Sequence, residues 1–147
     1  MACKPYKWKR IEYGSLRNNN RHQESYLFQH AAAALARCGF SAVKLTTDWN
    51  GADCVAQHFQ RPQKLLQIQL KSRFTIDTKY IGKRLHICFP DAKHREWWLL
   101  PHDTLVALCE KQGYLKTDSW RSKGCWHSAN PSTGLRDALA QWKLPSP

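Results

Sequence analysis

The chain has 147 residues, 42% of them apolar, a size that fits one globular domain with a substantial core and is too small for two. Its 23 Lys and Arg against 11 Asp and Glu give a net charge of +12, which favours a polyanion such as nucleic acid and disfavours a neutral substrate. No apolar run is long enough to span a membrane, and the six cysteines contain no C-x-x-C pair, which argues against a zinc ribbon or a thioredoxin-type motif.

The first 21 residues contain six of the basic residues and no apolar stretch. They predict a basic N-terminal arm over about residues 1–19 and no secretory signal. We therefore expect a cytoplasmic location, in a prokaryote or an organelle, where the widely separated cysteines are mostly buried thiols rather than disulfides.

The stretch RHQESYLFQHAAAALARCGF predicts a helix. Its apolar residues recur at helical spacing and form a stripe of Leu27, Phe28, Ala31 and Leu35. Asn20 is the expected N-cap, Gln23 three residues later completes a capping box, and Gly39 is the expected stop. Glu24 projects from the start of the core-facing stripe, where a carboxylate is costly unless it meets a cation.

Five strand-like segments follow in chain order. They are SAVKLTTD, DCVAQHF, KLLQIQLKS, LHICF and EWWLL, with WNG as a tight turn after the first and QRPQ as the bend after the second. EWWLL is apolar enough to be buried on both faces. HDTLVALCEKQG predicts a short helix, and a final helix is expected from about Ser132 to Trp142. This order predicts a single α+β (or α/β) domain.

The third strand alternates apolar and polar residues, so Gln69 and Lys71 share one face. If the turn before this strand centres near Arg61 and Pro62, the residue numbers of two residues that face each other in the hairpin add up to about 122 to 123. Asp53 then lies opposite Gln69 or Leu70. An acid and a lysine are therefore expected to meet at one end of the hairpin.

Asp53, Glu24 and the main-chain carbonyl of Leu70 together would offer only oxygen ligands. Such a set suits Mg²⁺ or Mn²⁺. Lys71 beside it could orient a water or stabilise negative charge on a phosphate oxygen. These are the parts needed for phosphodiester hydrolysis, and the basic surface would bind the nucleic-acid backbone.

The segments GADCVA and LQIQLKSR, after a helix that contains QESYLFQHAAAALARCGF, resemble the PD-(D/E)XK nuclease superfamily over about residues 20 to 75. The resemblance implies a central mixed sheet of about five strands flanked by helices, as in restriction endonucleases. It implies one nuclease domain over 1–147, with the catalytic core at about 20–100 and a C-terminal helical region at about 101–147. The implied catalytic residues are Glu24, Asp53, Gln69 and Lys71.

Gln69 departs from the family pattern because it stands where the second acid is usual. A glutamine carbonyl can still bind a hard cation or position a water, but it is neutral and is no general base. Two carboxylates then balance one divalent ion. Members of the superfamily with Q-x-K at this place are active, so loss of catalysis is an alternative rather than a necessity.

Four basic residues are expected to contact DNA: Arg73, Lys79, Lys83 and Arg84. Trp97 and Trp98 are expected mainly in the core. The sequence thus predicts a metal-dependent DNA endonuclease of the restriction or homing kind. Cutting both strands of double-stranded DNA needs two sites, so a homodimer or homotetramer is expected, with no membrane association.

Other functions remain open at this stage. A Holliday-junction resolvase would use the same site, and a DNA-binding protein could keep the fold without catalysis. An RNA-binding or ribosome-associated module would need the Gln69–Lys71 row only as a solvated strand face. A zinc protein is the least favoured alternative, because the cysteines and histidines show no ligand spacing.

Overall fold

The computed structural model describes residues 19–93 and 95–146, so the predicted arm over 1–19 lies outside the described residues except for Asn19. The first helix, α1, is Asn20–Ala36. The expected N-cap is wrong by one residue: the side chain of Asn19 accepts the His22 N–H at 3.1 Å, so the capping box built on Asn20 does not form. Gly39 follows the helix with φ of 82°, as expected.

Three strands then form an antiparallel meander: β1 (Phe40–Trp49), β2 (Ala52–His58) and β3 (Leu65–Leu70). After β4 (Phe74–Asp77), strands β5 (His86–Pro90) and β6 (Trp97–Pro101) complete the main sheet, whose order is β1-β2-β3-β5-β6. Among the strand pairs of the described residues, only β3 and β5 run parallel. A parallel pair needs a long crossover, and residues 71–85 supply it. The mixed five-strand sheet confirms the predicted fold class.

The C-terminal part contains α2 (His102–Lys111), α3 (Asp118–Lys123), strand β7 (Cys125–Ser128) and α4 (Thr133–Leu139). Strand β7 pairs with β4 in a separate two-stranded sheet. The predicted C-terminal helical region therefore contains α2, α3 and α4 and, in addition, one short strand, β7, that the sequence did not predict. Both strands are four residues long, too short for a periodicity signal, and they find partners only in three dimensions.

The core lies on both faces of the main sheet. One cluster joins α1 to the sheet and includes Leu27, Leu35, Cys54, Ile68 and Cys88. The other cluster joins the opposite face to α2, α4 and β4, and includes Phe74, Ile87, Leu100, Leu105 and Leu135. Trp97 and Trp98 are buried, as expected. The sheet is therefore packed on both faces, which favours precise placement of side chains at the ends of its strands.

The described cysteines are free thiols, also as expected. Burial raises the pKa of Cys54 to about 12, with a further contribution from the neighbouring Asp53 charge. Burial likewise raises the pKa of Cys109 to about 12. Such thiols are poor nucleophiles. No helix in the described part of the chain is long and apolar enough to cross a membrane.

Candidate active site

The β1–β2 connection is a two-residue turn formed by Asn50 and Gly51. Their φ angles are 55° and 89°, and Trp49 pairs with Ala52 on either side of them. Positive φ at both central residues is the hairpin geometry that Asn-Gly favours. The tight turn predicted from WNG is therefore confirmed, and it ends the hairpin beside Asp53.

A bulge in β1 lies directly opposite Asp53. Lys44 pairs with Cys54, and the next pair towards the turn joins Trp49 to Ala52. Residues 45–48 of β1 therefore face the single residue Asp53 of β2. Bulges of this kind interrupt pairing and redirect side chains, and they are common beside active sites.

The β2–β3 register places Asp53 opposite Gln69, one of the two predicted positions. Cys54 pairs with Ile68, and the next position along each strand is Asp53 and Gln69. The Gln69 side-chain amide donates a hydrogen bond to Asp53 Oδ2. The main-chain N–H of Leu70 donates to the same carboxylate oxygen at 2.8 Å. Asp53 is thus fixed from two sides, as a ligand or catalytic group must be.

The Gln69 amide nitrogen also donates to the main-chain carbonyl of Leu70, at 3.1 Å. Two oxygens, one from Asp53 and one from Leu70, therefore converge on one hydrogen-bond donor. These are two of the three oxygens expected to bind a metal ion. Their convergence on a donor is the arrangement that would also favour a cation.

The predicted catalytic residues line one cavity of about 310 Å³, at the ends of β2 and β3 and beside the first turns of α1. Its lining residues are Glu24, Leu27, Lys44, Leu45, Asp53, Gln69, Leu70 and Lys71. Glu24 is exposed rather than buried in the stripe, so its carboxylate needs no buried partner. All five positions predicted for catalysis and metal binding are brought together.

The pKa of Asp53 is raised, chiefly because burial disfavours its charged form, and the nearby negative charge of Glu24 adds to this. The hydrogen bond from Leu70 and the positive charges of Lys71 and Lys44 act in the opposite direction. Because burial makes the charged form of this carboxylate costly, a bound cation would stabilise that charged form.

Lys71 points towards the ring of Tyr80, with Nζ 5.3 Å from the ring centroid. Lys79 Nζ lies 5.0 Å from the same centroid. Among the described residues Lys71 forms no ion pair, whereas Lys79 pairs with Asp77 at 3.6 Å. An ammonium group without an ion-pair partner at the edge of this cavity is available to an anion.

Two further cavities adjoin the first. A larger one of about 460 Å³ shares Asp53 and Gln69 with it, and a smaller one of about 250 Å³ shares Glu24 and Lys71. The three therefore form one groove with the candidate catalytic residues in its middle. Gln67, two residues before Gln69, lines none of the three.

The four predicted DNA contacts are divided by the fold. Lys79 and Lys83 line the larger cavity, beside the candidate catalytic residues. Arg73 and Arg84 are exposed but do not line the groove. Arg73 instead lies near enough to His127 to lower the pKa of that imidazole, after the larger effect of burial.

Sequence reasoning missed Lys44, Tyr80 and the bulge residues that line the groove: Leu45, Thr46, Thr47 and Asp48. Tyr80 could not be identified from the sequence, because a single aromatic residue in a polar connecting segment forms no recognisable pattern. Applying the pairing arithmetic to the first hairpin would have failed as well, since the bulge shifts the register between Trp49 and Lys44.

The oxygen atoms that line the smaller, catalytic cavity are of the kind that hard divalent ions bind, but only two of the side chains are carboxylates. No group of three or more His, Cys, Asp and Glu capable of holding a metal occurs within residues 19–93 and 95–146. The donors here are two carboxylates, Glu24 and Asp53, with the Leu70 carbonyl and the Gln69 amide oxygen as neutral ligands. Oxygen-only sets of this kind suit Mg²⁺ and Mn²⁺, which retain several waters.

Comparisons of the chain with models of protein families, with curated proteins and with solved structures give no significant match.

Proposed function

We propose that this chain is a metal-dependent DNA endonuclease of the PD-(D/E)XK kind, which hydrolyses phosphodiester bonds. The observation that supports it most is the convergence of Glu24, Asp53, Gln69, Leu70 and Lys71 on one cavity at the middle of a groove. The pairing of Asp53 with Gln69 across two strands also supports it, because the motif needs these two positions side by side. The net charge of +12 favours a polyanionic substrate.

Glu24, Asp53 and the carbonyl of Leu70 would hold Mg²⁺ or Mn²⁺, with Gln69 as a further ligand or as a group that orients water. When bound, such an ion lowers the pKa of water and neutralises charge on the phosphate. The Gln69 amide nitrogen now donates to two of these oxygens. Gln69 must therefore give up those hydrogen bonds, or turn its oxygen towards the ligand, when the site is loaded.

Lys71 stabilises the negative charge that develops on a phosphate oxygen as water attacks phosphorus and the bond to the leaving sugar oxygen breaks. Tyr80 keeps the ammonium group near the cavity without neutralising it, because a cation–π contact leaves the positive charge in place. A charged group that is already in position costs no reorganisation during the reaction.

The proposed substrate is double-stranded DNA, cut site-specifically by a restriction or homing type of enzyme in the cytoplasm of a prokaryote or in an organelle. Cutting both strands needs two such grooves, so a homodimer or homotetramer is part of the proposal. A junction resolvase would use the same residues on a four-way junction.

The test is incubation of the purified protein with long duplex DNA and four-way junctions in Mg²⁺, Mn²⁺ or EDTA. We expect metal-dependent fragments from the wild type and none from Asp53→Asn. Asp137→Asn, an exposed position on α4, is the matched control and should cleave normally. Resolved junctions without duplex cleavage would identify a resolvase. Cleavage that persists in EDTA or in Asp53→Asn would contradict the assignment.

One observation favours a second candidate, a DNA-binding protein of the same fold without catalysis. The neutral Gln69 stands in place of an acid and its amide ties together Asp53 and Leu70. Such a protein would bind DNA with strong salt dependence and equally well in EDTA. It would bind DNA but produce no cleavage fragments with Mg²⁺ or with Mn²⁺.

A further inference from the structure

The larger cavity beside the candidate active site is wider than a metal site and its chemistry is different. Its volume of about 460 Å³ is in the range of small-molecule sites. Asp53 and Gln69 form the boundary that it shares with the catalytic cavity. Whatever occupies it therefore lies next to the bond that is cut, and this inference rests on the proposed function.

One wall is the bulge of β1. It offers two hydroxyl groups, from Thr46 and Thr47, and the carboxylate of Asp48. The next residue, Trp49, does not line the cavity itself but lies beside it in sequence, at the tip of the hairpin, and is 54% exposed. Its exposed indole offers a flat apolar face on which a base can stack.

The opposite wall is cationic. Lys79, whose side chain is 60% exposed, extends from the short turn that follows β4, and Lys83 comes shortly after it. Lys83 forms no ion pair within the described residues. Lys79 is positively charged at neutral pH, as an exposed lysine is, and the neighbouring Tyr80 and Asp77 raise its pKa further.

The two walls are held at a fixed separation. A Cβ at Gly51 would come within 3.0 Å of Leu85 and 3.2 Å of Tyr80, so the hairpin tip packs on the segment that carries Lys79 and Lys83, although not on the lysines themselves. Asp48 Oδ1 accepts the Gly51 N–H at 2.8 Å and fixes the tip from the other side. The cavity is therefore a preformed feature of the fold.

We propose that this cavity holds one nucleotide of the DNA strand, next to the scissile phosphate. Lys79 and Lys83 bind its phosphate, and Trp49 at the adjoining hairpin tip stacks on its base. The hydroxyl and carboxylate groups of the β1 bulge contact the edge of that base. A carboxylate such as Asp48 accepts hydrogen bonds from exocyclic amino groups, which makes it the specificity-determining group.

The experiment measures binding in EDTA, where no cleavage occurs, with fluorescently labelled duplex and single-stranded DNA at several salt concentrations. Lys79→Gln and Lys83→Gln should each reduce the slope of log affinity against log salt by about 0.9 on duplex. Lys64→Gln is the matched control, because Lys64 precedes β3 at its opposite end and should keep the wild-type slope.

Trp49→Ala should weaken binding roughly five- to hundredfold, the usual effect of losing one base stack. Phe59→Ala is its control: Phe59 is 70% exposed just past the far end of β2. Its effect should stay within about twofold. If Trp49→Ala does not fold, Trp49→Thr keeps a residue that favours strands but has no aromatic ring, and it should show the same loss of affinity.

The two proposals fail separately. Reduced slopes in the cavity variants, with no cleavage by the wild type in any metal, would retain this nucleotide site and overturn the nuclease. Cleavage that depends on Asp53, with slopes and affinities equal to those of the controls, would retain the nuclease and overturn the site. If the cavity variants lost more affinity for RNA than for DNA, the occupant of the cavity would not be DNA.

Discussion

The side-chain amide of Gln69 donates a hydrogen bond to the carboxylate of Asp53, across the two strands that end at the candidate active site. The same nitrogen reaches the carbonyl of Leu70 at 3.1 Å. One neutral donor thus joins two oxygens that would otherwise face each other without a cation. Gln69 satisfies this site internally, which an acid at the same position could not do.

Gln69→Glu should make the site depend on metal. A third carboxylate beside Asp53 and Glu24 removes a donor and adds repulsion, so we expect a free energy of unfolding about 1–3 kcal/mol lower in EDTA. Mn²⁺ should then raise the melting temperature more than it does in the wild type. Thermal melts with and without Mn²⁺ measure both effects.

Gln67→Glu is the control for that substitution, because Gln67 lies on the same strand face but lines no part of the groove. It should melt alike with and without Mn²⁺. An equal response to Mn²⁺ in both variants would mean that the ion does not bind at Asp53.

Asp53→Asn should stabilise the protein in a pH-dependent way. The pKa of Asp53 is raised in the folded state, mainly by burial. Its protonated form therefore contributes stability below the ordinary carboxyl pKa of about 3.9, and this is lost as pH rises through the folded-state pKa. The asparagine side chain has no charge at any pH. The free energy of unfolding of the variant should therefore equal that of the wild type below about pH 3.9 and exceed it at neutral pH.

Melting both proteins between acid and neutral pH tests this, with Asp137→Asn beside them. The control should follow the wild type within about 0.5 kcal/mol at every pH. A difference between Asp53→Asn and the wild type that does not vary with pH would show that burial of the charge has no part in it.

Glu24→Gln should lower the pKa of Asp53. Burial is the main reason why that pKa is raised, but the negative charge of Glu24 contributes, while Lys44 acts against it. Removing the Lys44 charge with Lys44→Gln should therefore raise the pKa further. Carboxyl titrations followed by ¹³C NMR measure both shifts. The control Glu110→Gln, on α2, should leave the pKa of Asp53 unchanged. If Glu24→Gln also left it unchanged, Glu24 would not belong to the site.

Gly51→Ala should be more destabilising than Gly82→Ala. Both glycines have positive φ, at 89° and 73°, so both variants bear backbone strain. Only at Gly51 would the new Cβ contact neighbours, with Leu85 at 3.0 Å, whereas nothing lies within 4 Å at Gly82. Strain alone costs on the order of 1–3 kcal/mol. Equal losses in urea unfolding would mean that the hairpin tip yields freely.

Local patterns in the sequence were enough to predict α1, the five strands of the main sheet and the pairing of Asp53 with either Gln69 or Leu70, of which the structure has Gln69. These features depend on periodicity and on one short turn, both of which are written in neighbouring residues. Strands β4 and β7 depend on each other across about 50 residues, and nothing local to either segment indicates the partner.

The candidate site was likewise predictable only where its residues come from segments close together in the sequence. Asp53, Gln69 and Lys71 come from one hairpin, and Glu24 from the helix before it. The groove wall at Tyr80 and Lys83 comes from the crossover between parallel strands, whose path no spacing rule specifies. The bulge opposite Asp53 changes the register by an amount that the turn residues do not reveal.

The measurement that tests the central claim most directly is single-turnover cleavage of labelled duplex DNA in Mg²⁺ by the wild type, Lys71→Ala and Lys64→Ala. Lysines 71 and 64 flank the two ends of β3, but only Lys71 lines the catalytic cavity. We expect Lys71→Ala to lose roughly a hundredfold or more in rate while still binding DNA, and Lys64→Ala to cleave like the wild type. Equal rates in all three proteins, or no cleavage by any of them, would contradict the assignment of this groove as a nuclease site.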